Sequence, residues 1–360
     1  MYIKEIQLKD FRNYEQLTAE FHKNVNIFLG QNAQGKTNLL ESIYITSMGK
    51  SFRTNKDREM IRFGEDFFRV RVKAFKEEEL VVEIAVNQEG KKGIKIDGAK
   101  ARKMSQLLEQ IYIVIFSPED LRIVKDEPEK RRKFIDRELC QIKPSYYDNL
   151  NRYKKALLQR NAYLKEPRID EGVLEIWDAE LAQYGSQIIA QRNEFIKKLS
   201  KISSQIHQGI TNHKEYLEIF YEPSIQTCEN QKQIFIEELQ KCRRRDIRNR
   251  TTGKGPHKDD LQLKANGIDI RNFGSQGQQR TAALSLKLSE IRLIREETGE
   301  NPILLLDDVL SELDQERQNF LIRSLSDTQI FITTTEISRQ AIQSLGEIRY
   351  FNIENGKIIS

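Results

Sequence analysis

Gly30-Gln31-Asn32-Ala33-Gln34-Gly35-Lys36-Thr37 is the stretch on which the fold turns. Val25–Leu29 leads into it and reads as a strand. The residues from Thr37 to about Met48, with Leu39, Leu40, Ile43 and Tyr44, read as a helix leaving it. A strand, a glycine-spaced loop closed by Gly-Lys-Thr, and a helix form the context of a phosphate-binding P-loop. The glycines let successive backbone N–H groups point into one concavity, and the helix N-terminus adds its positive end. In this reading Gly30, Gln31, Asn32, Ala33, Gln34 and Gly35 wrap the phosphates of a nucleotide. Lys36 reaches its β- and γ-phosphates, and Thr37 ligates Mg²⁺.

A second stretch completes the site. Pro302-Ile303-Leu304-Leu305-Leu306-Asp307-Asp308 is a buried strand with two carboxylates at its exit. Paired with a P-loop, it reads as a Walker B strand. Asp307 is placed to hold Mg²⁺, and Asp308 to orient or activate the attacking water. Lys36, Asp307 and Asp308 are therefore the candidate catalytic residues, with ATP and Mg²⁺ as the expected cofactors. A GTPase is set aside, because Thr54-Asn55-Lys56-Asp57 has the wrong spacing for a base-reading motif.

Phe273-Gly274-Ser275-Gln276-Gly277-Gln278-Gln279-Arg280 precedes a helix, about thirty residues before the Walker B strand. It is similar to the ABC signature motif, with Gln276 where glycine is usual. Ser275 offers a hydroxyl, Gly277 a close backbone approach, and Gln278 begins the helix whose positive end suits an anion. In ABC-type ATPases this surface closes over the γ-phosphate held by a second subunit, so ATP joins two copies. As a plain sequence feature, Ser275 equally suits a helix N-cap. Ser311-Glu312-Leu313-Asp314 resembles the D-loop, with Ser311 also suited to an N-cap. Thr333-Thr334-Thr335 stands where many ABC proteins carry a switch histidine, and Ser117-Pro118-Glu119-Asp120 where a Q-loop glutamine is expected. These departures point to slow, switch-like hydrolysis.

The expected fold class is α/β: an ABC/SMC-type P-loop ATPase head with a mixed sheet and an antiparallel β subdomain, plus an inserted, mainly helical lobe. Residues 1–125 carry the P-loop and alternating segments such as Phe67–Phe75 and Glu79–Val86. Turn signals at Asn87-Gln88-Glu89-Gly90 and Asp97-Gly98 separate hairpin strands. Residues 126–270 form the helical lobe. Its stripe of Leu181, Ile188, Phe195 and Leu199, with Pro144 and Pro167 as breaks, predicts three helices before about His213. Residues 271–360 return to strand–helix alternation and complete the head. They carry a helix over Gln279–Glu297, strands over Ile303–Leu306 and Gln329–Thr333, another helix after that, and a last strand near Ile348–Ile353.

Composition is compatible with this. Of the 360 residues, 38% are apolar and 31% charged, which suits a well-solvated globular chain. The three cysteines, Cys140, Cys228 and Cys242, lie far apart and argue against a zinc site or a disulfide framework. The longest apolar run, Ile111–Phe116, is far short of the roughly twenty residues of a spanning helix. A cytoplasmic protein without a membrane segment is expected.

Further motifs resemble one family closely. Leu8-Lys9-Asp10-Phe11-Arg12-Asn13-Tyr14, Asn32–Glu41, Lys50-Ser51-Phe52-Arg53-Thr54, Phe116–Leu121 and Gly255-Pro256-His257-Lys258-Asp259-Asp260 are similar to motifs of the RecF family, with Lys258 where arginine is expected. The Ser-Gln-Gly-Gln-Gln-Arg signature is itself of that form. The resemblance implies an ATP-dependent homodimer that binds duplex DNA at gaps and single-strand/duplex junctions. It implies work with RecR and RecO to load RecA, and roles in replication-fork recovery and the SOS response. It also implies a weak, DNA-dependent ATPase.

Contacts to DNA phosphates need clustered Lys and Arg. The candidate runs are Lys130-Arg131-Arg132-Lys133 and the cluster Lys241, Arg243, Arg244, Arg245, Arg248 and Arg250, with a smaller group at Lys50, Arg53 and Lys56. A solvated face balanced by nearby acids would carry the same residues. Two other functions stay open at this point: the nucleotide-binding subunit of an ABC transporter, and another SMC-like ATPase acting on DNA ends.

Overall fold

The computed structural model describes residues 1–325, 327–335 and 347–359. The chain divides into two compact units. One comprises Met1–Leu121 and Leu286–Ser360, the other Arg122–Ser285.

The first unit opens with strands β1 (Tyr2–Phe11), β2 (Tyr14–Glu20) and β3 (Val25–Leu29), then helix α1 (Lys36–Met48). Strands β4 (Phe67–Phe75), β5 (Glu79–Asn87), β6 (Lys92–Ile96) and β7 (Ala99–Lys100) follow, then a short helix α2 (Ser105–Leu108) and strand β8 (Ile113–Phe116). An antiparallel sheet runs in the order β2-β1-β4-β5-β6-β7. Its strands alternate as their sequences predict: Phe68, Val70, Val72 and Ala74 of β4 are buried, with Arg69 between them exposed.

The second unit carries the three predicted helices, α3 (Pro128–Ile142), α4 (Pro144–Tyr163) and α5 (Glu171–Ile210). Strand β9 (Leu217–Glu222), helix α6 (Gln231–Asn249) and strands β10 (Asp260–Ala265) and β11 (Ile268–Asp269) complete it, the strands pairing in the order β11-β10-β9. Its interior is held by arginines as well as by apolar side chains. Arg160 donates to Asp178 at 2.7 Å, Asp246 at 2.9 Å and the Thr252 hydroxyl at 2.8 Å. Arg192 donates to Asp136 at 2.7 Å, Asp259 at 3.1 Å and the Pro256 carbonyl at 2.7 Å. The 252–260 segment, which contains the Gly255–Asp260 motif, is thus clamped by helices far away in sequence.

Helix α7 (Gln276–Thr298) runs from the second unit into the first. Strand β12 (Ile303–Asp307), helix α8 (Gln315–Arg323) and strands β13 (Ile330–Thr334), β14 (Ile348–Glu354) and β15 (Lys357–Ile358) follow. Asp314, whose side chain accepts from Arg317 N–H, caps α8, so Ser311 is not its N-cap. The helix expected after β13 falls outside the described residues. The second sheet has the order β15-β14-β3-β13-β12-β8, with every pair parallel except β14–β15. Parallel strands need both faces covered, which explains why β3, β8, β12 and β13 are mostly apolar and almost wholly buried.

Helix α1 is buried from Leu39 to Met48 and contacts strands of both sheets. A helix covered all round needs no polar face. Two of its buried hydroxyls, Ser42 and Thr46, return to the carbonyls of Leu39 and Ile43. Gln329 ties the sheets together further: its side chain accepts from Ile3 N–H at 2.7 Å and donates to Ile3 and His22 carbonyls at 2.8 and 2.9 Å.

Arg160 is fully buried between two carboxylates, so removing it leaves Asp246 without its buried arginine and Asp178 with Arg243 alone. Arg160→Ala is expected to lower stability by about 3–5 kcal/mol. Urea titration followed by circular dichroism checks it.

Candidate nucleotide site

The order β3-β13-β12 builds the site. The loop after β3 is the P-loop, β12 ends at Asp307, and β13 between them ends at Thr333 and Thr334. In register, Asp307 lies opposite Thr333, and Thr333 opposite Phe28. All three strands are parallel, so these ends share one edge of the sheet.

The P-loop glycines occupy backbone conformations that other residues rarely adopt. Gly30 has φ 156° and Gly35 φ 118°. A Cβ at Gly30 would lie 2.3 Å from the Ile353 carbonyl oxygen, and one at Gly35 2.7 Å from the Asn13 amide nitrogen. Gln31, Asn32 and Ala33 are exposed at the crest. Gln34 is anchored, its carbonyl accepting from Asn13 Nδ2 and Gly356 N–H, both at 3.0 Å. The Lys36 ammonium folds back on the loop, donating to the carbonyls of Gly30 at 2.5 Å and Gln31 at 2.9 Å. Burial lowers its pKa, while the charges of Asp308 and Asp307 oppose that shift.

Asp307 is the point of convergence. Its Oδ1 accepts from Thr37 Oγ1 at 2.9 Å and from Thr333 Oγ1 at 2.8 Å. Thr333 Oγ1 in turn accepts from the Asp308 N–H at 3.0 Å. Asp308 sits at φ 53°, in the left-handed region, where the chain leaves β12. Burial raises its pKa; Lys36 lowers it and Asp307 raises it further. The Ser311 hydroxyl donates to the Asp308 carbonyl at 2.7 Å and steadies the same turn. The oxygens of Thr37 and Asp307 form a hard donor pair of the kind Mg²⁺ takes. The glycine concavity, with Lys36 at its floor, is shaped and charged for phosphate. The residues present therefore fit both ATP and Mg²⁺.

Two parts of this arrangement have no local signal in the sequence. Thr333 stands where a histidine is usual, and its hydroxyl joins both Walker B residues. Glu41 of α1 closes the Asn32–Glu41 motif without a role that spacing reveals. It is fully buried and accepts a two-pronged pair from Arg12 at 2.8 and 2.7 Å, with the Ser51 hydroxyl and Arg53 beside it. Arg53 also donates to Asn38 at 2.7 Å. Three of the family motifs thus meet on one carboxylate next to the P-loop helix.

Ser275, Gly277 and Gln278 open α7 in the second unit. Ser275 Oγ accepts from Gln278 N–H at 3.2 Å, and Gln278 Oε1 accepts from Ser275 N–H at 2.9 Å. This reciprocal pair is a capping box. Ser275 and Gly277 are exposed beside it, as is Phe273.

The candidate DNA residues separate by burial. Arg131 is 1% exposed and makes a two-pronged pair with Asp260 at 2.6 and 2.9 Å. Arg243 is 8% exposed and donates to Asp178 and Glu171, both at 3.0 Å. These two were expected to meet DNA and instead hold the second unit together, because their carboxylate partners reach them first. Arg132 is half-buried on the Asp259 carbonyl, while Lys130, Arg244 and Arg245 are exposed.

A model of the RecF/RecN/SMC N terminal domain matches residues 2–351. The chain is 47% identical to the DNA replication and repair protein RecF of Clostridioides difficile (strain 630), over 100% of its own length and 98% of that protein's. This chain belongs to the RecF family. The RecF of Alkaliphilus oremlandii is 46% identical over 93% of each chain. Among solved structures, the recombination mediator RecF-ATP of the RecFOR pathway superposes with a TM-score of 0.90 at 40% identity, over 99% of this chain and 96% of that one. An Smc head domain from Pyrococcus furiosus superposes with a TM-score of 0.56 at 17% identity, over 99% and 96%, which shows the shared fold. The RecF fold is thus an ABC/SMC-type P-loop ATPase head with an added helical segment. No helix among the described residues is long and apolar enough to cross a membrane.

Thr333→Val keeps the shape of the side chain and removes its hydroxyl. It is expected to slow ATP turnover about 10- to 100-fold, in line with about 1–3 kcal/mol for buried polar groups left unpaired. Thr333→Ser is expected to retain most of the rate. Steady-state ATPase assays, with nucleotide binding measured separately, check both.

Proposed function

We propose that this chain is an ATP-dependent DNA-binding protein of recombinational repair. The observation that carries the reading is the meeting of Lys36, Thr37, Asp307 and Asp308 at one sheet edge. The names of its relatives support the DNA side: they are DNA replication and repair proteins, and one solved relative is a recombination mediator with ATP.

In this proposal Gly30–Gly35 wrap the phosphates, Lys36 exchanges its loop carbonyls for phosphate oxygens, and Thr37 and Asp307 hold Mg²⁺. The metal, when bound, offsets negative charge on the phosphates. Asp308, with its raised pKa, orients a water and accepts its proton. Ser275, Gly277 and Gln278 of one copy close over the nucleotide held by another, with the capping box presenting the helix end to the phosphate. The segments 1–125 and 271–360 act as the ATPase head and 126–270 as its helical lobe. The closed homodimer binds duplex DNA near gaps and junctions and acts with RecR and RecO in loading RecA. Slow hydrolysis reopens it. Lys130, Arg132, Arg244 and Arg245 remain candidates for phosphate contact.

Light scattering tests the dimer. Wild type is expected to be dimeric only with ATP and Mg²⁺, and Ser275→Arg to bind ATP and stay monomeric. A variant that dimerises normally contradicts the cross-subunit role. Asp308→Asn is expected to lower the hydrolysis rate about 10²- to 10⁴-fold, the usual range for loss of a general base. In wild type the rate should fall as acid protonates Asp308, and this limb should be absent in Asp308→Asn. A pH–rate profile checks this.

A further inference from the structure

The antiparallel sheet of the first unit has one face packed and one face open, and the open face is unevenly charged. Reading across the strands, one row runs Gln16, Lys9, Arg69, Ala85 and Gly93. The next runs Thr18, Gln7, Arg71, Glu83, Lys95 and Lys100. The first row has no carboxylate. In the second, Glu83 is drawn toward Lys95 at 3.5 Å. Acids return in the third row, where Glu5 pairs with Lys73 at 3.1 Å. Lys9, Arg69 and Arg71 make no ion pair among the described residues. Lys9 instead lies over the ring of Phe67, 5.1 Å from its centroid.

Lys9 stands directly opposite Arg69 on neighbouring antiparallel strands. Like charges in that position destabilise a sheet. Both side chains are exposed, and neither is relieved by an acid. Beside them a groove of about 220 Å³ is lined by Gln7, Lys9, Gln16, Thr18 and Arg69. Its polar side chains are neutral hydrogen-bonding groups, and its charged ones are all cationic. Ala85 and Gly93 leave the neighbouring part of the row low and open. This is chemistry that suits a repeating anion with sugar and phosphate oxygens.

We propose that this face, centred on Lys9, Arg69 and Arg71, binds the phosphate backbone of duplex DNA. It is separate from the candidate residues of the helical unit, two of which are buried in ion pairs. The proposal rests on the DNA-binding function put forward above and names a surface for it. Recognition is through the backbone, so no base preference follows from it. The unfavourable Lys9–Arg69 juxtaposition is relieved when a phosphate lies between the two cations.

The test is fluorescence anisotropy of a labelled duplex oligonucleotide with ATP and Mg²⁺, over a series of salt concentrations, on the full chain. The variants are Lys9→Gln/Arg69→Gln and a control of equal net charge, Lys23→Gln/Lys201→Gln. The first pair is expected to weaken binding about tenfold and to reduce the salt slope by about 2, at ~0.9 for each phosphate the protein no longer neutralises. It should leave ATP binding and DNA-free hydrolysis unchanged. Its melting temperature should be equal to or higher than wild type, since a like-charge pair is removed, so weakened binding would not reflect misfolding. The control should bind as wild type does. Wild-type affinity and slope in the Lys9/Arg69 variant overturn the proposal and leave the face to an acidic protein surface. Equal losses in the control also overturn it, by reducing the effect to net charge. If wild type itself fails to bind duplex with ATP, the DNA-binding function falls and this surface falls with it.

Discussion

One carboxylate oxygen of Asp307 receives hydroxyls from Thr37 and Thr333. That convergence requires the P-loop, β13 and β12 to end at the same edge, which only the strand order β3-β13-β12 provides. The residues involved are hundreds of positions apart: Thr37 and Asp307 are separated by 270. The long excursion of the chain between them is tolerated because parallel strands accept a long crossover, provided both faces of the sheet stay covered. The buried α1 helix and the cluster of Phe21, Phe28, Phe331 and Phe351 cover it. The site is therefore a property of the sheet, and its local hydrogen bonds refine a geometry the topology has already set.

The second unit follows a different rule. Its centre contains Arg160 and Arg192, each paired with carboxylates from other elements. Buried ion pairs contribute little net stability, because desolvation offsets their attraction, but losing one partner is costly. They also discriminate between arrangements, since a shifted helix would leave a charge unpaired. That accounts for why Asp259 and Asp260 close the Gly255–Asp260 motif: they accept from Arg192 and Arg131 and fix the loop to the helices.

Much of this is legible in the sequence where a local pattern carries the physics. The P-loop and its flanking elements, the Walker B strand, the alternating strands β4 and β5, and the three helices α3 to α5 all announce themselves by spacing or periodicity. What stays hidden depends on distant partners. Arg131 and Arg243 look like members of basic runs, and the carboxylates that bury them lie 129 and 65 residues away. Glu41 is one acid in an apolar helix until Arg12, Ser51 and Arg53 are brought round it. Thr333 reads only as a replacement for a switch histidine until β12 is laid beside it and its hydroxyl meets Asp307. The opposed pair of Lys9 and Arg69 exists only once the register of β1 and β4 is known. Helix α6 is hard to anticipate because its charged residues outnumber the few that bury it, Phe235 and Leu239 among them.

In the proposed function, nucleotide and DNA act on one equilibrium. Linkage then requires that ATP raise the affinity for duplex DNA by the same factor by which duplex DNA raises the affinity for ATP. The decisive measurement is the dissociation constant for a duplex oligonucleotide without nucleotide, with ADP and with ATP, made on Asp308→Asn so that ATP persists, together with the ATP dissociation constant with and without that duplex. Tighter DNA binding with ATP alone, matched by an equal gain in ATP affinity, is the predicted result. Equal DNA affinity in all three nucleotide states would contradict the account.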